Sequence, residues 1–511
     1  MAIEVNIIYI CIPVLVVLYL LTKHVSHKLQ NLPPTPFPEL PLIGHLHLVK
    51  KPLHRELAKI SDHHGKVLFL RFGSRRVLHV ASPSATEECL SKNDIIFANR
   101  PHLFSGKYFG YNYTSLPWAP YGEHWQNLRR ISAIEILSSK RLDSLSHIRL
   151  EEIQSLTRRL FLTANKNPDE ILNVRAELFG FMFNVMTRMM AGKTYFGLGS
   201  EKLAEAKRFR DMVADTAKVN VQSAMADMLP ILRWFVGGKL DKRYKAVQKR
   251  RDDFMQEWID ELRAEDGLGN EDTKKTLLKV LLSLQNENPE YYTDEMIKSL
   301  SQALLHGGIN TSVVTMEWAM SHLLNNPNAL KKAQIEIDCV VGCDRLVNEA
   351  DLLKLPYLQC IIKETVRMQP PSPLLLPHES SKECTVGGYR IPQGTMLLVN
   401  LWALQNDPNI WNSPETFKPE RFEVIENIVK VKEGMTMSPF GSGRRRCPAE
   451  NLAMRIVGLA LASLIQCFDW KRVSEELVDM TESGVFSLAR AQPLMAKFQT
   501  RSNLARHLFH V

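Results

Sequence analysis

The stretch that most limits what this chain can fold around is residues 440–449, which read FGSGRRRCPA. It places Cys447 in a turn rich in glycine and arginine, directly before an apolar run from Leu452 to Leu464. The cationic side chains and the N-terminus of a following helix both favour a thiolate over a thiol. Because a buried thiolate needs a positive partner, we expect Cys447 to ligate a metal ion.

The surroundings of Cys447 favour haem over zinc as that metal centre. Zinc sites recruit several ligands at close spacing, and no second cysteine or histidine lies near Cys447 in the sequence. A single thiolate can bind haem iron axially, and neighbouring arginines can pair with the haem propionates. The alternative is a basic surface turn that holds a buried structural cysteine.

Composition limits the partners and the cellular compartment. The 511 residues carry a net charge of +9, which suggests nucleic acid, a membrane surface or an acidic protein as partner. No dense lysine and arginine block with interleaved aromatic residues is present, so nucleic acid is not expected. The cysteines are scattered and none forms a Cys-x-x-Cys pair, which indicates free thiols in a reducing compartment.

The N-terminal residues predict a membrane anchor that is not cleaved. Residues 7–21 are almost continuously apolar, Glu4 precedes them, and basic residues such as Lys23 follow. A cleaved signal peptide would carry positive charge before the apolar run and a small-residue site after it. The charge asymmetry places the C-terminal side in the cytoplasm. The predicted division is residues 1–24 as a single-pass signal anchor, 25–45 as a basic, proline-rich hinge and 46–511 as one large domain.

Hydrophobic patterns predict a mainly α-helical domain with small β-sheets. Residues 66–72 and 75–80, separated by Gly73-Ser74, have the pattern of a β-hairpin. Residues 239–251 are rich in basic side chains, as expected for a helix face in solvent. A long helix is predicted from Glu295 to about Asn325.

Two adjacent glycines lie in the middle of that long helix. Gly307 and Gly308 each cost about 1 kcal/mol relative to alanine, so their presence needs a reason. One reason is a groove for a flat ligand, which the hydroxyl of Thr311 would line from one turn further on. The other is close packing against a neighbouring helix.

Residues 440–449 resemble the cysteine loop of the cytochrome P450 superfamily of haem-thiolate monooxygenases. The family pattern is Phe-x-x-Gly-x-Arg-x-Cys-x-Gly, and the matching residues are Phe440, Gly443, Arg445 and Cys447. Ala449 stands where the family usually has glycine. The resemblance implies that Cys447 is the axial ligand of a haem b iron and that the matching loop residues bind the haem.

The helix that contains the two glycines is similar to the family's oxygen-binding helix. The residues that match its pattern are Gly307, Gly308, Thr311 and Ser312. Asn310 replaces the usual acid. The resemblance therefore implies that protons are delivered through Thr311 and Asn310, although the amide of Asn310 cannot titrate. We therefore expect either weaker coupling of oxygen use to product or a reaction that ends in ring closure. His306, one turn before Asn310, is a further route for protons or packs against a neighbour.

Other motifs of the family follow in the same order along the chain. Trp125 and Arg129 match Trp-x-x-x-Arg, which implies that they hold a haem propionate, whereas on their own they would suggest a packing pair. His378 is implied to meet a propionate as well. The residues implied to lock the core behind the haem are Glu364, Arg367 and Arg421. The residues implied to line the substrate pocket are His306, Gly307, Leu374, Leu375, Val485 and Phe486.

The resemblance covers nearly the whole chain. Gly44-His45-Leu46-His47 and Tyr111-Asn112-Tyr113-Thr114 are similar to plant microsomal members, of which the isoflavone-hydroxylase-like group is the nearest in appearance. This implies a single haem-thiolate fold over residues 46–511 and aromatic hydroxylation of a small hydrophobic phenolic. The alternatives are oxidative ring closure by the same haem, and a haem-thiolate isomerase or dehydratase that needs no oxygen.

The source of electrons is expected to be a separate protein. The chain has no Gly-x-Gly-x-x-Gly after a strand, so it is not expected to bind NADPH itself. The resemblance implies NADPH–cytochrome P450 reductase as partner, with cytochrome b5 as a further candidate, at the endoplasmic reticulum membrane. Arg444, Arg445 and Arg446 beside Cys447 would suit an acidic partner.

Overall fold

The computed structural model describes residues 2–167, 169–197, 203–266, 276–342, 344–425, 428–429, 434–483 and 487–501. The α-helices are α1 Ala2–Leu29, α2 Leu53–His64, α3 Pro83–Glu87, α4 Phe104–Tyr108, α5 Glu123–Ile131, α6 Ser139–Ser144, α7 Ser146–Lys166, α8 Val174–Ala191, α9 Leu203–Met228, α10 Ile231–Asp266, α11 Leu277–Glu287, α12 Asp294–Asn325, α13 Pro327–Val341, α14 Pro356–Met368, α15 Leu401–Gln405 and α16 Glu450–Cys467. The β-strands are β1 Val67–Phe72, β2 Arg75–Val80, β3 Ile171–Asn173, β4 His378–Glu379, β5 Cys384–Val386, β6 Tyr389–Ile391, β7 Met396–Val399, β8 Val424–Ile425, β9 Ile428–Val429, β10 Phe468–Arg472 and β11 Met495–Thr500. The prediction of a mainly helical fold with small sheets is confirmed.

The predicted β-hairpin is confirmed and belongs to the largest sheet, whose strand order is β1-β2-β7-β4. Val67 pairs with Val80 and Phe72 with Arg75 in the antiparallel register. Gly73 turns the chain at φ 59°, a left-handed conformation that glycine adopts without strain. Strand β7 runs parallel to β2 and antiparallel to β4, so the sheet holds His378 at the first residue of its edge strand.

Helix α12 is the predicted long helix and runs through the core. The Thr293 hydroxyl accepts a hydrogen bond from the Met296 N–H at 3.3 Å, which caps the first turn. In the second half of the helix, Met316, Trp318 and Ala319 are fully buried. A helix that is apolar on all sides is stable only when other elements surround it, and α8, α14 and α16 pack against α12.

The N-terminal helix differs in its exposure from the core helices. Helix α1 continues past residue 24 to Leu29, and among its described side chains Leu15, Leu18 and Leu21 are all more than half exposed. Among the described residues, one helix is long and apolar enough to cross a membrane, Glu450–Cys467, and 72% of that window is buried inside the protein. That helix is α16, which is part of the core.

Candidate active site

Glycines shape the loop around Cys447. Gly443 has φ 65°, and a Cβ atom there would lie 2.2 Å from the Leu90 carbonyl oxygen, so no other residue fits without movement of the backbone. The Cys447 N–H donates to the Phe440 carbonyl at 2.9 Å and closes the loop. The loop thus places Cys447 directly before the first turn of α16.

The charge state of Cys447 depends on its partners. Burial raises the pKa of the Cys447 thiol, whereas a hydrogen bond from the Ala449 N–H and the charge of Arg129 lower it. Burial is the larger effect, so these groups alone leave the thiol protonated. A bound iron would supply the missing positive charge and deprotonate the sulfur. Among the described residues no cluster of three metal-binding side chains exists.

The three consecutive arginines before Cys447 have different environments. Arg444 pairs with Asp94 at 2.5 Å and Arg446 with Glu450 at 2.7 Å, both as exposed guanidinium groups. Arg445 turns inward and donates to the Ala98 carbonyl at 2.6 Å. Two of the three charges expected to attract an acidic partner are therefore already paired within the chain.

A group of basic side chains converges near the cysteine loop without a carboxylate. Burial, then Arg100 and Arg129, lower the pKa of Arg445 to about 9. Burial, then Arg100 and Arg445, lower the pKa of His378. None of these three arginines forms an ion pair with any described residue. Such a cluster needs anionic partners, and the two propionates of haem b have the required charge, so the residues present fit this cofactor.

Arg100 is the member of this group that the sequence analysis missed. Its side chain is 7% exposed and donates from Nη1 to the Leu376 carbonyl at 2.9 Å and the Pro377 carbonyl at 2.8 Å. These partners lie more than 270 residues further along the chain, and no local pattern marks Arg100. It ties the segment before β4 to the loop that precedes α4.

Trp125 and Arg129 lie on α5 as predicted, with different partners. The Trp125 indole N–H donates to the Leu116 carbonyl at 3.1 Å, and the Arg445 guanidinium lies 4.3 Å from the indole ring. Trp125 therefore packs against Arg445. Arg129 is half-buried, and its donors have no hydrogen-bond partner among the described residues. His378 donates from Nδ1 to the Phe97 carbonyl at 2.8 Å, so its Nε2 atom takes no part in that hydrogen bond.

The two glycines of α12 have different surroundings. A Cβ at Gly307 would meet no atom of a neighbouring element within 4 Å, whereas one at Gly308 would lie 2.8 Å from Met186 Cε on α8. Gly307 thus borders open space and Gly308 permits close helix packing. The Thr311 hydroxyl donates to the Gly307 carbonyl at 2.7 Å, and the partly exposed Asn310 amide has no hydrogen-bond partner among the described residues.

His306 packs against neighbouring elements, which is one of the two roles predicted for it. Its Nδ1 atom lies 3.0 Å from the Gln302 carbonyl, and its ring centroid is 5.7 Å from that of Phe209. Burial, with a smaller contribution from Arg251, lowers the pKa of His306 to about 3. The imidazole is therefore neutral at physiological pH.

The other residues expected in the pocket are only partly described. Leu374 packs against the apolar cluster beneath the β1-β2 hairpin, and Leu375 packs against the cluster that contains Leu90. Val485 and Phe486 lie outside the described residues. Further along the chain, the Leu488 N–H donates to the Pro371 carbonyl at 3.1 Å.

Glu364, Arg367 and Arg421 meet in a buried network. Arg367 donates to Glu364 at 2.7 and 2.9 Å, and Arg421 donates to the same carboxylate at 3.1 Å. Arg367 also donates to the Gln405 carbonyl at 2.8 Å and the Pro414 carbonyl at 2.7 Å. The network joins α14 to the segment that leads to the cysteine loop.

The mainly helical fold and the loop around Cys447 define a class of haem protein, and the chain belongs to the cytochrome P450 family. The family profile described as Cytochrome P450 matches residues 33–498. The protein is therefore a haem-thiolate monooxygenase that uses haem b, receives electrons from a redox partner reductase and acts on a small hydrophobic substrate.

Similar proteins place it among plant members of that family. The chain is 46% identical to cytochrome P450 81Q32 of Catharanthus roseus over 94% of each chain. It is 45% identical to an isoflavone 2'-hydroxylase of Glycyrrhiza echinata over 93% of each chain. It is 43% identical to a (+)-piperitol/(+)-sesamin synthase of Sesamum radiatum over 95% of this chain and 94% of that one. A zebrafish cytochrome P450 solved with progesterone has a TM-score of 0.74 at 25% identity, covering 88% of this chain and 99% of that one.

Proposed function

We propose that this monooxygenase hydroxylates an aromatic ring of a hydrophobic plant phenolic. The observation that carries the proposal is the open space beside Gly307 on α12, next to the half-exposed Thr311 and Asn310. Such a gap suits a flat aromatic ring. The similarity to an isoflavone 2'-hydroxylase over nearly the full length of both chains supports the same substrate class.

The proposed haem site uses the residues that converge around Cys447. Cys447 is the axial ligand, and Phe440 and Gly443 set the shape of its loop. Arg129, Arg445 and Arg100 hold the propionates, and Trp125 supports Arg445 through its ring face. His378 joins them in its imidazolium form, because Nδ1 already donates to the Phe97 carbonyl and only a protonated Nε2 can donate to a carboxylate. Bound haem supplies the activation of dioxygen, and the thiolate raises its electron density.

The proposed roles of Thr311 and Asn310 concern protons. The Thr311 hydroxyl can donate to and accept from a neighbouring group, so it can take part in a relay. The Asn310 amide can orient a hydrogen-bond partner but cannot release a proton. His306, neutral and bonded to the Gln302 carbonyl, is better suited to line the pocket than to carry charge.

We infer a membrane location from exposed apolar surface. On α10, Trp234 is 86% exposed and Phe235 is 79% exposed, and α1 exposes several leucines. Surface of this kind favours burial in a lipid interface. We assign residues 1–24 to a single-pass anchor in the endoplasmic reticulum membrane, 25–45 to the hinge and 46–511 to the cytoplasmic catalytic domain. NADPH–cytochrome P450 reductase and cytochrome b5 are the proposed electron donors.

Oxidative ring closure is the second candidate function. It is favoured by Asn310 in place of an acid and by the similarity to a protein named as a synthase, the sesame relative. Labelled dioxygen separates the two functions. The full chain, reconstituted with reductase and NADPH, is supplied with plant phenolics; retained label in the product establishes hydroxylation, whereas a product without label establishes closure.

A further inference from the structure

A group of buried polar atoms lies between α10, α12 and the segment after α4. Tyr111 donates its hydroxyl to Asp252, and Gln302 donates from Nε2 to the Tyr111 oxygen at 3.0 Å. Gln248 donates to the same Asp252 carboxylate at 2.9 Å. These bonds hold the cluster in place and leave other atoms of the same side chains without partners.

The unpartnered atoms include both donors and acceptors. Within the described residues, Arg251 Nε and Nη1, Gln302 Oε1 and His306 Nε2 are buried and have no hydrogen-bond partner. Arg251 is 5% exposed and Gln302 is 2% exposed. Unpaired buried polar atoms are costly, so hydrogen-bond partners for these atoms are strongly favoured.

Arg251 is buried, whereas residues 239–251 are predicted to form a basic helix face in solvent. Its neighbours Lys249 and Arg250 are exposed, as predicted for residues 239–251, whereas Arg251 turns inward. Its guanidinium carbon lies 4.6 Å from the centroid of the Phe109 ring, and it has no ion pair with a described residue. A buried cation whose Nε and Nη1 donors have no hydrogen-bond partner among the described residues points to a ligand that accepts hydrogen bonds.

The acceptors beside Arg251 narrow the chemistry of that ligand. His306 Nδ1 must carry its proton because its partner is a carbonyl, so Nε2 of the neutral ring offers a lone pair. Gln302 Oε1 also accepts only. A hydroxyl can accept from Arg251 and donate to His306 or Gln302, whereas a carboxylate would satisfy only the arginine.

We propose that Arg251, Gln302 and His306 form a subsite that binds a hydroxyl group of the substrate, remote from the carbon that is oxidised. Gln302, His306 and Asn310 are spaced four residues apart along one face of α12. The eight residue steps from Gln302 to Asn310 span about 12 Å along the helix axis. The subsite therefore selects an elongated molecule with its hydroxyl at one end. This assignment rests on the proposed oxidation of a phenolic.

Two probes that differ only in one hydroxyl test the subsite. They are unsubstituted isoflavone and the isoflavone with a single hydroxyl on its fused ring system. Spectral titration of the full-length, haem-containing enzyme should show about 10- to 100-fold tighter binding of the hydroxylated probe, the range expected for a hydrogen bond to a charged group. Equal affinities for the two probes would overturn the proposal.

Single substitutions test which residues cause the preference for the hydroxylated probe. Arg251→Met and Gln302→Leu should each weaken only the hydroxylated probe and bring the affinity ratio to about 1, since the lost bonds are those to the hydroxyl. Lys249→Met, an exposed change on the same helix, should leave the ratio unaltered. If either subsite variant weakens both probes equally while its haem content is normal, the cluster is structural and the proposal is wrong.

Product formation is measured in parallel with reductase and NADPH. A preference for the hydroxylated probe without oxidised product would retain the subsite and contradict the proposed function. Oxidised product without any preference would retain the function and contradict the subsite.

Discussion

Arg367 forms a two-point ion pair with Glu364, at 2.7 and 2.9 Å, and neither side chain is exposed to solvent. The same Glu364 carboxylate also accepts from the Lys418 N–H at 2.9 Å. One buried anion therefore joins helix α14 to the segment at Lys418, 54 residues further along the chain.

Removing that anion should unfold the region behind the haem. Glu364→Gln leaves two buried guanidinium groups without a counter-charge, at a cost of about 3–5 kcal/mol. We expect low haem content and a lower urea midpoint of unfolding. Glu383→Gln, which breaks an exposed pair with Arg390, is the matched control and should change stability by less than about 1 kcal/mol. Normal stability of Glu364→Gln would contradict the assignment.

Gly443→Ala should prevent formation of the cysteine loop. The new methyl group would lie 2.2 Å from the Leu90 carbonyl oxygen, and the positive φ adds about 1–2 kcal/mol. The expected result is loss of haem incorporation, measured by absorbance after affinity purification. Gly238→Ala, at a helical position with no atom within 4 Å, is the control that should bind haem normally. Full haem content in Gly443→Ala would show that the loop tolerates rearrangement.

Cys447→Ser tests the axial ligand. We expect the reduced variant exposed to carbon monoxide to lose the band that is diagnostic of thiolate ligation, together with its turnover, because the hydroxyl is a far weaker electron donor than the thiolate. Cys339→Ser removes an exposed thiol and should retain both. A serine variant with unchanged spectrum and activity would exclude residue 447 as ligand.

Glu482 should make part of the stability dependent on pH. Although burial raises the pKa of Glu482, hydrogen bonds from Arg55 and the contact with His54 at 3.2 Å lower it to about 2, from 4.5. A lowered pKa stabilises the fold above pH 4.5, and this contribution is lost as the pH falls from 4.5 towards 2. Glu482→Gln should therefore be less stable at neutral pH by about 2–3 kcal/mol.

Urea unfolding at several pH values checks this expectation. The difference in unfolding free energy between wild type and Glu482→Gln should shrink to less than half by about pH 3. Asp62→Asn, which removes an exposed partner of Lys66, should show little difference at any pH. A constant difference across the pH range would mean that Glu482 does not stabilise through its charge.

Asn310→Asp should raise the amount of product formed per NADPH consumed. The change restores a group that can titrate next to the open space at Gly307, so protons can be delivered by a side chain instead of by water alone. Asn310→Leu, similar in size but unable to form hydrogen bonds, should lower the same ratio. If the aspartate variant shows no change, residue 310 does not limit proton delivery.

Local patterns in the sequence predicted several elements correctly. The β-hairpin and the long helix follow from periodicity, and the closed loop before α16 follows from glycine at positions that need positive φ. These features depend on residues close together in the chain. Periodicity and turn chemistry report such local conformations directly.

Features that join distant segments were not predictable in the same way. Arg100 reaches carbonyl groups of Leu376 and Pro377, and the buried Arg251 lies in a run of otherwise exposed basic residues. Neither has a sequence pattern that distinguishes it from a surface arginine. Their positions follow from which helices and loops pack together.

The family and the helical core follow from the sequence, which also predicts that Cys447 belongs to the haem site. Tertiary contacts set the directions of three identical neighbouring side chains, Arg444, Arg445 and Arg446. Arg444 meets Asp94, Arg445 meets the Ala98 carbonyl, and Arg446 meets Glu450. Charge alone does not distinguish the three residues, because the partners that orient two of them come from a segment about 350 residues earlier in the chain.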